Sequence, residues 1–187
     1  MKTKDPASKD VNILFYIGIS TMLLDLVGLF LIEPASTLQK SLFFISAFIL
    51  TVLAHLNNQK MFYVLQIVIT LGTILAFFDL SNILNYIILL GTVTIGIWYL
   101  RSIQYYKRDA WGVVCTLGLL LIASGFATNA VAYPLYFGLF LGVGALLAAL
   151  YSFVDFFYRK NSVALIWFIL NIAFAIKPLL MVISFMK

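Results

Sequence analysis

Seven stretches of the chain are apolar over a length close to the thickness of a lipid bilayer, and this feature restricts the fold more than any other. A helix needs roughly 20 apolar residues to cross the hydrocarbon layer, and it satisfies its own backbone hydrogen bonds there. The sequence therefore predicts an all-α integral membrane protein with seven transmembrane helices. The predicted spans are Val11 to Ile32, Ser41 to Leu56, Met61 to Phe78, Ile83 to Leu100, Ala110 to Phe126, Ala132 to Phe153 and Ser162 to Phe185.

Composition supports this class and leaves no room for a soluble domain. Hydrophobic residues make up 64% of the chain and charged residues 10%, against roughly 25% charged residues in an average soluble domain. We expect one transmembrane domain over residues 1–187, with a cytoplasmic tail at 1–10 and helices 1 to 3 at 11–80. Linker helix 4 and a basic loop would occupy 81–108, and helices 5 to 7 would occupy 109–187. The second span is the weakest prediction because it is short.

Basic residues predict the orientation. With seven spans, the N-terminus and the loops after spans two, four and six share one side, where nine basic residues lie, and the other side has two. The excess of lysine and arginine marks the cytoplasmic side. We therefore expect a cytoplasmic N-terminus, an outside C-terminus and a plasma (inner) membrane of a prokaryote. The net charge of +5 reflects topology and not nucleic-acid binding. The nine are Lys2, Lys4, Lys9, Lys60, Arg101, Lys107, Arg108, Arg159 and Lys160, and the two are Lys40 and Lys187.

An internal repeat indicates two similar triplets of helices. Gly28 to Ile32 (GLFLI) resembles Gly118 to Ile122 (GLLLI), and the next span opens with Leu42 to Phe44 in one case and Leu135 to Phe137 in the other. One odd helix lies between the triplets, so both would cross the membrane in the same direction. The sequence therefore predicts a parallel repeat of three, one and three helices.

This layout resembles the SWEET-type sugar facilitators and the bacterial nicotinamide riboside transporters. The segment Asn57 to Gln66 (NNQKMFYVLQ) is similar to the turn and glutamine-bearing third helix of the riboside transporters. The chain has no proline–glutamine pair of the sugar-facilitator kind. Trp98, Trp111 and Trp167 do not reproduce the tryptophan pattern of the riboside family. The resemblance implies a fold and a transport role, and no particular substrate.

Two charged residues lie inside apolar spans, Asp25 in span one and Lys177 in span seven. At a rise of about 1.5 Å per residue, both should lie about 5 Å outward of the midplane. An unpaired charge there costs about 2.5 to 3.5 kcal/mol. We therefore expect spans one and seven to touch through an ion pair between Asp25 and Lys177. Such a pair is compatible with a structural role, a substrate anchor or a proton-coupling site.

Other polar residues recur at helical spacing and face the interior of the predicted bundle. Gln66 and Thr70 share a face of span three, and Asn85 and Thr92 follow a looser stripe on span four. Asn171 lies about 120° around span seven from Lys177, so we expect it to face a different neighbour. Such stripes serve either as contacts between helices or as the lining of a cavity. The candidate substrate-binding residues are Asp25, Lys177, Gln66, Thr70, Asn85, Thr92 and Asn171.

Residue inventory argues against an enzyme. The chain has one histidine, His55, and neither a nucleophile elbow nor a phosphate-binding loop. We expect no catalytic residues, metal or cofactor. The favoured function is a small facilitator or secondary transporter of a polar solute, in contact with the lipid bilayer and with no nucleic acid. The alternatives are a non-transporting membrane subunit that binds a partner and a retinal-type protein with Lys177 as the Schiff base. A homo-oligomer is compatible with all three.

Overall fold

The computed structural model describes residues 6–33, 36–78, 80–128 and 132–186. These residues form helices joined by short connections, and the predicted all-α class is confirmed. Seven long helices coincide with the seven predicted spans, and α5 is a single turn within the basic loop. The helices are α1 Pro6–Phe30, α2 Thr37–Leu56, α3 Lys60–Leu75, α4 Asn82–Ser102, α5 Tyr105–Arg108, α6 Gly112–Ala127, α7 Pro134–Arg159 and α8 Ala164–Phe185.

Five of the long helices are long and apolar enough to cross a membrane. They are α1, α2, α4, α7 and α8, with mean hydropathies between 1.7 and 2.2. The other two, α3 and α6, are apolar but have 16 residues each. By length and composition, five of the described helices are therefore compatible with a membrane span, and α3 and α6 are shorter.

The predicted start of the second span was wrong. Helix α2 begins at Thr37 and has 20 residues, because Ser36 caps it by accepting the backbone N–H of Gln39 at 3.2 Å. The second helix is thus long enough to cross a membrane. Residues 6–10, predicted as a tail, form the first turns of α1, which starts at Pro6. Proline is favoured in the first turn because its missing N–H has no partner there.

Six of the helices form a closed ring. Around it each helix contacts the next in the order α1, α2, α3, α6, α7, α8 and back to α1. Helix α4 contacts α3, α6 and the short α5, so it packs on the outside of this ring. The ring therefore encloses an interior to which α4 does not contribute.

Small residues allow close backbone contact between α6 and α7. A Cβ atom added at Gly144 would lie 2.8 Å from the Gly118 carbonyl oxygen, and one at Gly118 would lie 2.7 Å from that of Gly144. Helices in a membrane associate through such backbone contact rather than through the hydrophobic effect. These glycines hold α7 against α6 on one side of the interior.

Candidate functional site

A cavity of about 330 Å³ lies inside the ring, and all six of its helices contribute to the wall. Its volume is in the range of small-molecule sites, and its lining is mainly apolar with a few polar groups, as such sites usually are. The polar residues in its wall are Asp25, Gln39, Gln66, Thr73, Asn171 and Lys177, and the aromatic ones are Phe43, Phe126, Phe137, Trp167 and Phe174.

Four of the seven predicted site residues meet in this cavity. Asp25 comes from α1, Gln66 from α3, and Asn171 and Lys177 from α8. Asn171 and Lys177 were expected to face different neighbours, and that expectation was wrong, since both line one cavity. The cavity is wide enough for side chains about 120° apart on one helix to reach its wall.

Gln66 is the polar residue of the cavity wall that most clearly lacks a hydrogen-bond partner. Its side chain is 4% exposed, and its amide oxygen has no hydrogen-bond partner within the described part of the chain. A buried amide without a partner costs free energy, roughly 1 to 3 kcal/mol by mutational measures. Native proteins seldom keep such a group without a use for it, so the Gln66 amide is a group that a bound molecule could satisfy.

Asp25 and Lys177 do not form the predicted ion pair. Among the described residues, the ion pairs join Arg159 to Asp109 and to Asp155. Lys177 instead donates to the backbone carbonyl of Leu29, and its ammonium lies 5.5 Å from the centre of the Phe30 ring.

Lys177 binds the Leu29 carbonyl and not Asp25 because helix α1 ends beside it. The last carbonyls of a helix have no partner within the helix and carry partial negative charge, so they attract a cation. Helix α1 ends at Phe30, which places the Leu29 carbonyl in its last turn. The flexible lysine stem reaches that carbonyl, and the ion pair expected from matched depth is not formed.

The Asp25 carboxylate has a partner that the sequence analysis missed. The hydroxyl of Ser46, which is fully buried on α2, donates to one oxygen of Asp25. Within the described part of the chain, no other hydrogen bond or ion pair holds Asp25, which itself is 4% exposed. A carboxylate has about four acceptor positions, so Asp25 keeps acceptor capacity for a ligand.

Asn171 also keeps an acceptor. Its side-chain NH₂ donates to the backbone carbonyl of Trp167 at 2.7 Å, and no hydrogen bond among the described residues engages its amide oxygen. The residue lines the cavity. Pro178, one turn beyond Phe174, has no N–H to donate to the Phe174 carbonyl, and both residues line the cavity. Asp25 and Asn171 therefore both keep acceptor capacity among the residues that line the cavity.

The structure does not bring Thr70, Asn85 and Thr92 to the cavity. Thr70 bonds to Thr51 at 3.0 Å, between α3 and α2. Asn85 and Thr92 lie on α4, outside the ring, where the Thr92 hydroxyl donates to the Ile88 carbonyl at 2.8 Å. The Asn85 amide oxygen is buried with no partner among the described residues, but it lies away from the cavity.

A second polar cluster, which we call the basic-end network, joins three loops at one end of the bundle. Asp109 is at its centre and accepts hydrogen bonds from Tyr105 at 2.7 Å, from Tyr151 at 2.8 Å and from the guanidinium of Arg159. Arg159 also contacts Asp155 at 3.2 Å. The network consists of Gln59, Tyr105, Asp109, Tyr151, Asp155, Arg159 and Asn161.

The charge on Asp109 is stabilised by this network. Burial by itself would raise the pKa of Asp109, but hydrogen bonds from Arg159, Tyr105 and Tyr151 and the positive charge of Arg159 hold it below its ordinary value. Sequence analysis treated the basic turn before Asp109 as a topology signal and missed this cluster. Its members lie up to 102 residues apart, so no local spacing could have indicated it.

No family model matches the chain, and no curated protein or solved structure is significantly similar to it.

Proposed function

We propose that the protein is a small facilitator or secondary transporter that binds a polar small solute in the central cavity. The observation that carries this proposal is the unpartnered Gln66 amide in the cavity wall. Around it, Asp25 comes from α1 and Asn171 and Lys177 from α8, so a solute bound there would contact both triplets of the predicted repeat. A site between two repeats is where transporters commonly bind their cargo.

The finer membrane architecture is part of this proposal. We infer that α3 and α6 also cross the membrane, giving seven spans in a parallel arrangement of three, one and three. A helix of 16 residues covers about 24 Å, which is short of a typical bilayer by a few residues. Local thinning of the bilayer would accommodate that difference. The basic residues favour a cytoplasmic N-terminus, an outside C-terminus and the inner membrane of a prokaryote.

The chemistry of the wall favours a solute of mixed character. Asp25, Asn171 and the Gln66 oxygen are acceptors, and the donors are the Gln66 NH₂ and the remaining N–H bonds of Lys177. This set would bind a solute that carries several N–H or O–H donors. The five aromatic side chains would contact an apolar or planar part of the same molecule.

The test is thermal stability of the detergent-purified protein against sugars, nucleosides, vitamins and organic anions. A solute that binds the folded state raises the apparent melting temperature, by an amount that grows with its concentration relative to Kd. We expect one solute class to stabilise the wild type and to lose this effect in Gln66→Met.

Asn85→Leu is the matched control for this experiment. It also removes a buried amide with an unpartnered oxygen, but outside the cavity, so it should keep the full solute response. The proposal would be overturned if no solute class shifted the wild type, or if Gln66→Met responded as Asn85→Leu does.

A further inference from the structure

A second cavity lies at the basic end of the bundle. Its volume is about 240 Å³, and most of its wall is polar. Phe62 lines this second cavity, and its ring stacks on Trp167 with centroids 5.2 Å apart and planes 14° apart. Trp167 in turn lines the central cavity. The stacked rings of Phe62 and Trp167 therefore lie between the two cavities.

Hydrogen bonds attach this aromatic layer to the basic-end network. The indole N–H of Trp167 donates to the Gln59 side-chain oxygen at 2.9 Å, and the Gln59 NH₂ donates to the Asn161 side-chain oxygen at 3.1 Å. Asn161 bonds to Asp155, which also contacts Arg159. A continuous chain of contacts therefore runs from the wall of the central cavity to the ion pair between Arg159 and Asp109.

We propose that the second cavity is the other mouth of the solute pathway, and that the bond between Trp167 and Gln59, supported by the basic-end network, closes the pathway between the two cavities. This inference rests on the proposed transport function and adds the route and its gate. In the present conformation the central cavity extends to residues near the opposite helix ends, Gln39 on α2, Phe126 on α6 and Met181 on α8. The basic end is the closed one.

The contacts that close this end have the properties that a gate requires. They join the loops between α2 and α3, between α4 and α6, and between α7 and α8, so opening them would separate both triplets at one end. They are polar, and Arg159 is 37% exposed, so water can replace its partners. A net hydrogen bond contributes only about 1 kcal/mol, which permits reversible opening.

The test measures from which side of the membrane each cavity can be reached. Two reporters are introduced separately into Cys115→Ala, which removes the only native cysteine: Ala47→Cys in the central cavity and Lys60→Cys in the second cavity. The probe is a charged methanethiosulfonate, which does not cross bilayers, applied to either face of sealed vesicles of known orientation. We expect Lys60→Cys to react from the basic face and Ala47→Cys to react from the opposite face.

Breaking the gate should give the probe a new route. Adding Gln59→Ala should raise the reaction rate of Ala47→Cys from the basic face about tenfold, the change expected when a closed state loses about 1.4 kcal/mol. Trp167→Phe keeps the ring stack but removes the indole N–H, so it should have a similar effect. The two changes combined should be less than additive, because they remove the same bond.

Thr51→Val is the matched control, since it removes the 3.0 Å bond to Thr70 between α2 and α3, outside the network. It should leave the rate unchanged. Equal effects of Thr51→Val and Gln59→Ala, or no effect of Gln59→Ala in a protein that remains folded by size-exclusion chromatography, would overturn the gate. If Gln59→Ala does not fold, Trp167→Phe decides the question by the same readout. Labelling needs no solute, so a failed gate and a failed solute site give distinguishable results.

Discussion

Two buried carboxylates in this protein have opposite surroundings. Asp109 accepts hydrogen bonds from two tyrosines, from Arg159 and from the backbone N–H of Gly112. Asp25, equally buried, accepts one from Ser46. A carboxylate whose acceptor positions are filled by the protein contributes to its structure, whereas one with open positions is available to another molecule. The basic-end network and the central cavity differ in the same way, and this difference separates a structural contact from a binding site.

The largest effect should follow from removing the centre of the network. Asp109→Ala leaves Arg159 without its main partner and removes the acceptor that Tyr105 and Tyr151 share, leaving their hydroxyls only their bond to each other. We expect a loss of about 3 kcal/mol in the free energy of unfolding. This value is at the lower end of the range for removing one partner of a buried ion pair, because Arg159 is partly exposed. Unfolding in mixed detergent and SDS micelles measures it. The exposed Lys107→Ala should change stability by less than about 0.5 kcal/mol, and equal losses would contradict the assignment.

The close contact between α6 and α7 involves no polar side chain, so its loss can be compared with the loss of the basic-end network. Gly144→Val would push its side chain into the backbone of α6, because even a Cβ atom added at Gly144 would lie 2.8 Å from the Gly118 oxygen and the Ile122 nitrogen. We expect a loss of about 1 to 3 kcal/mol in the same unfolding assay. Gly91→Ala is the control, because nothing lies within 4 Å of a Cβ there. It should be neutral or stabilising by up to about 1 kcal/mol. Destabilisation by both would attribute the loss to helix backbone effects and not to close packing.

Acid should weaken the network and leave the packing unchanged. The pKa of Asp109 is lower in the folded protein than its ordinary value of 3.8. Its contribution to stability is therefore complete above that value and is lost as the pH falls through the lower folded pKa. The effect should be smaller than that of Asp109→Ala, because a protonated carboxyl still forms hydrogen bonds. The measurement is the free energy of unfolding between about pH 6 and pH 3, the range in which ordinary carboxyl groups titrate. It should fall less steeply with decreasing pH in Asp109→Asn than in the wild type.

The smallest effect should come from the cavity, tested by one substitution at two glutamines. Gln66 has no side-chain hydrogen bond in the described structure, and Gln59 bonds to both Trp167 and Asn161. In the absence of solute, Gln66→Met should change the free energy of unfolding by less than about 0.5 kcal/mol or increase it, because no bond is lost. Gln59→Met should reduce it by about 1 to 2 kcal/mol. A larger loss at Gln66 than at Gln59 would mean that the cavity amide is structural.

Local sequence patterns were sufficient to predict most helices, because each follows from an apolar run of nearly membrane length. They also located Asp25, Gln66, Asn171 and Lys177 as polar residues that need an interior to face. Helical periodicity could not show whether a polar stripe faces the cavity or a neighbouring helix. Asn85 and Thr92 have a similar pattern, yet they lie on α4, which packs outside the ring. Facing a neighbouring helix and facing a cavity produce the same stripe.

The sequence by itself determined the helical class, the long apolar helices and the polar residues among them, since these depend on residues near one another in the chain. Only the tertiary structure decided which groups the buried polar side chains bind. Lys177 meets a helix-end carbonyl 148 residues away instead of Asp25, and Arg159 reaches Asp109 across 50 residues. Such pairings depend on where helices end and which helices touch, because a buried polar group takes the nearest partner that packing supplies.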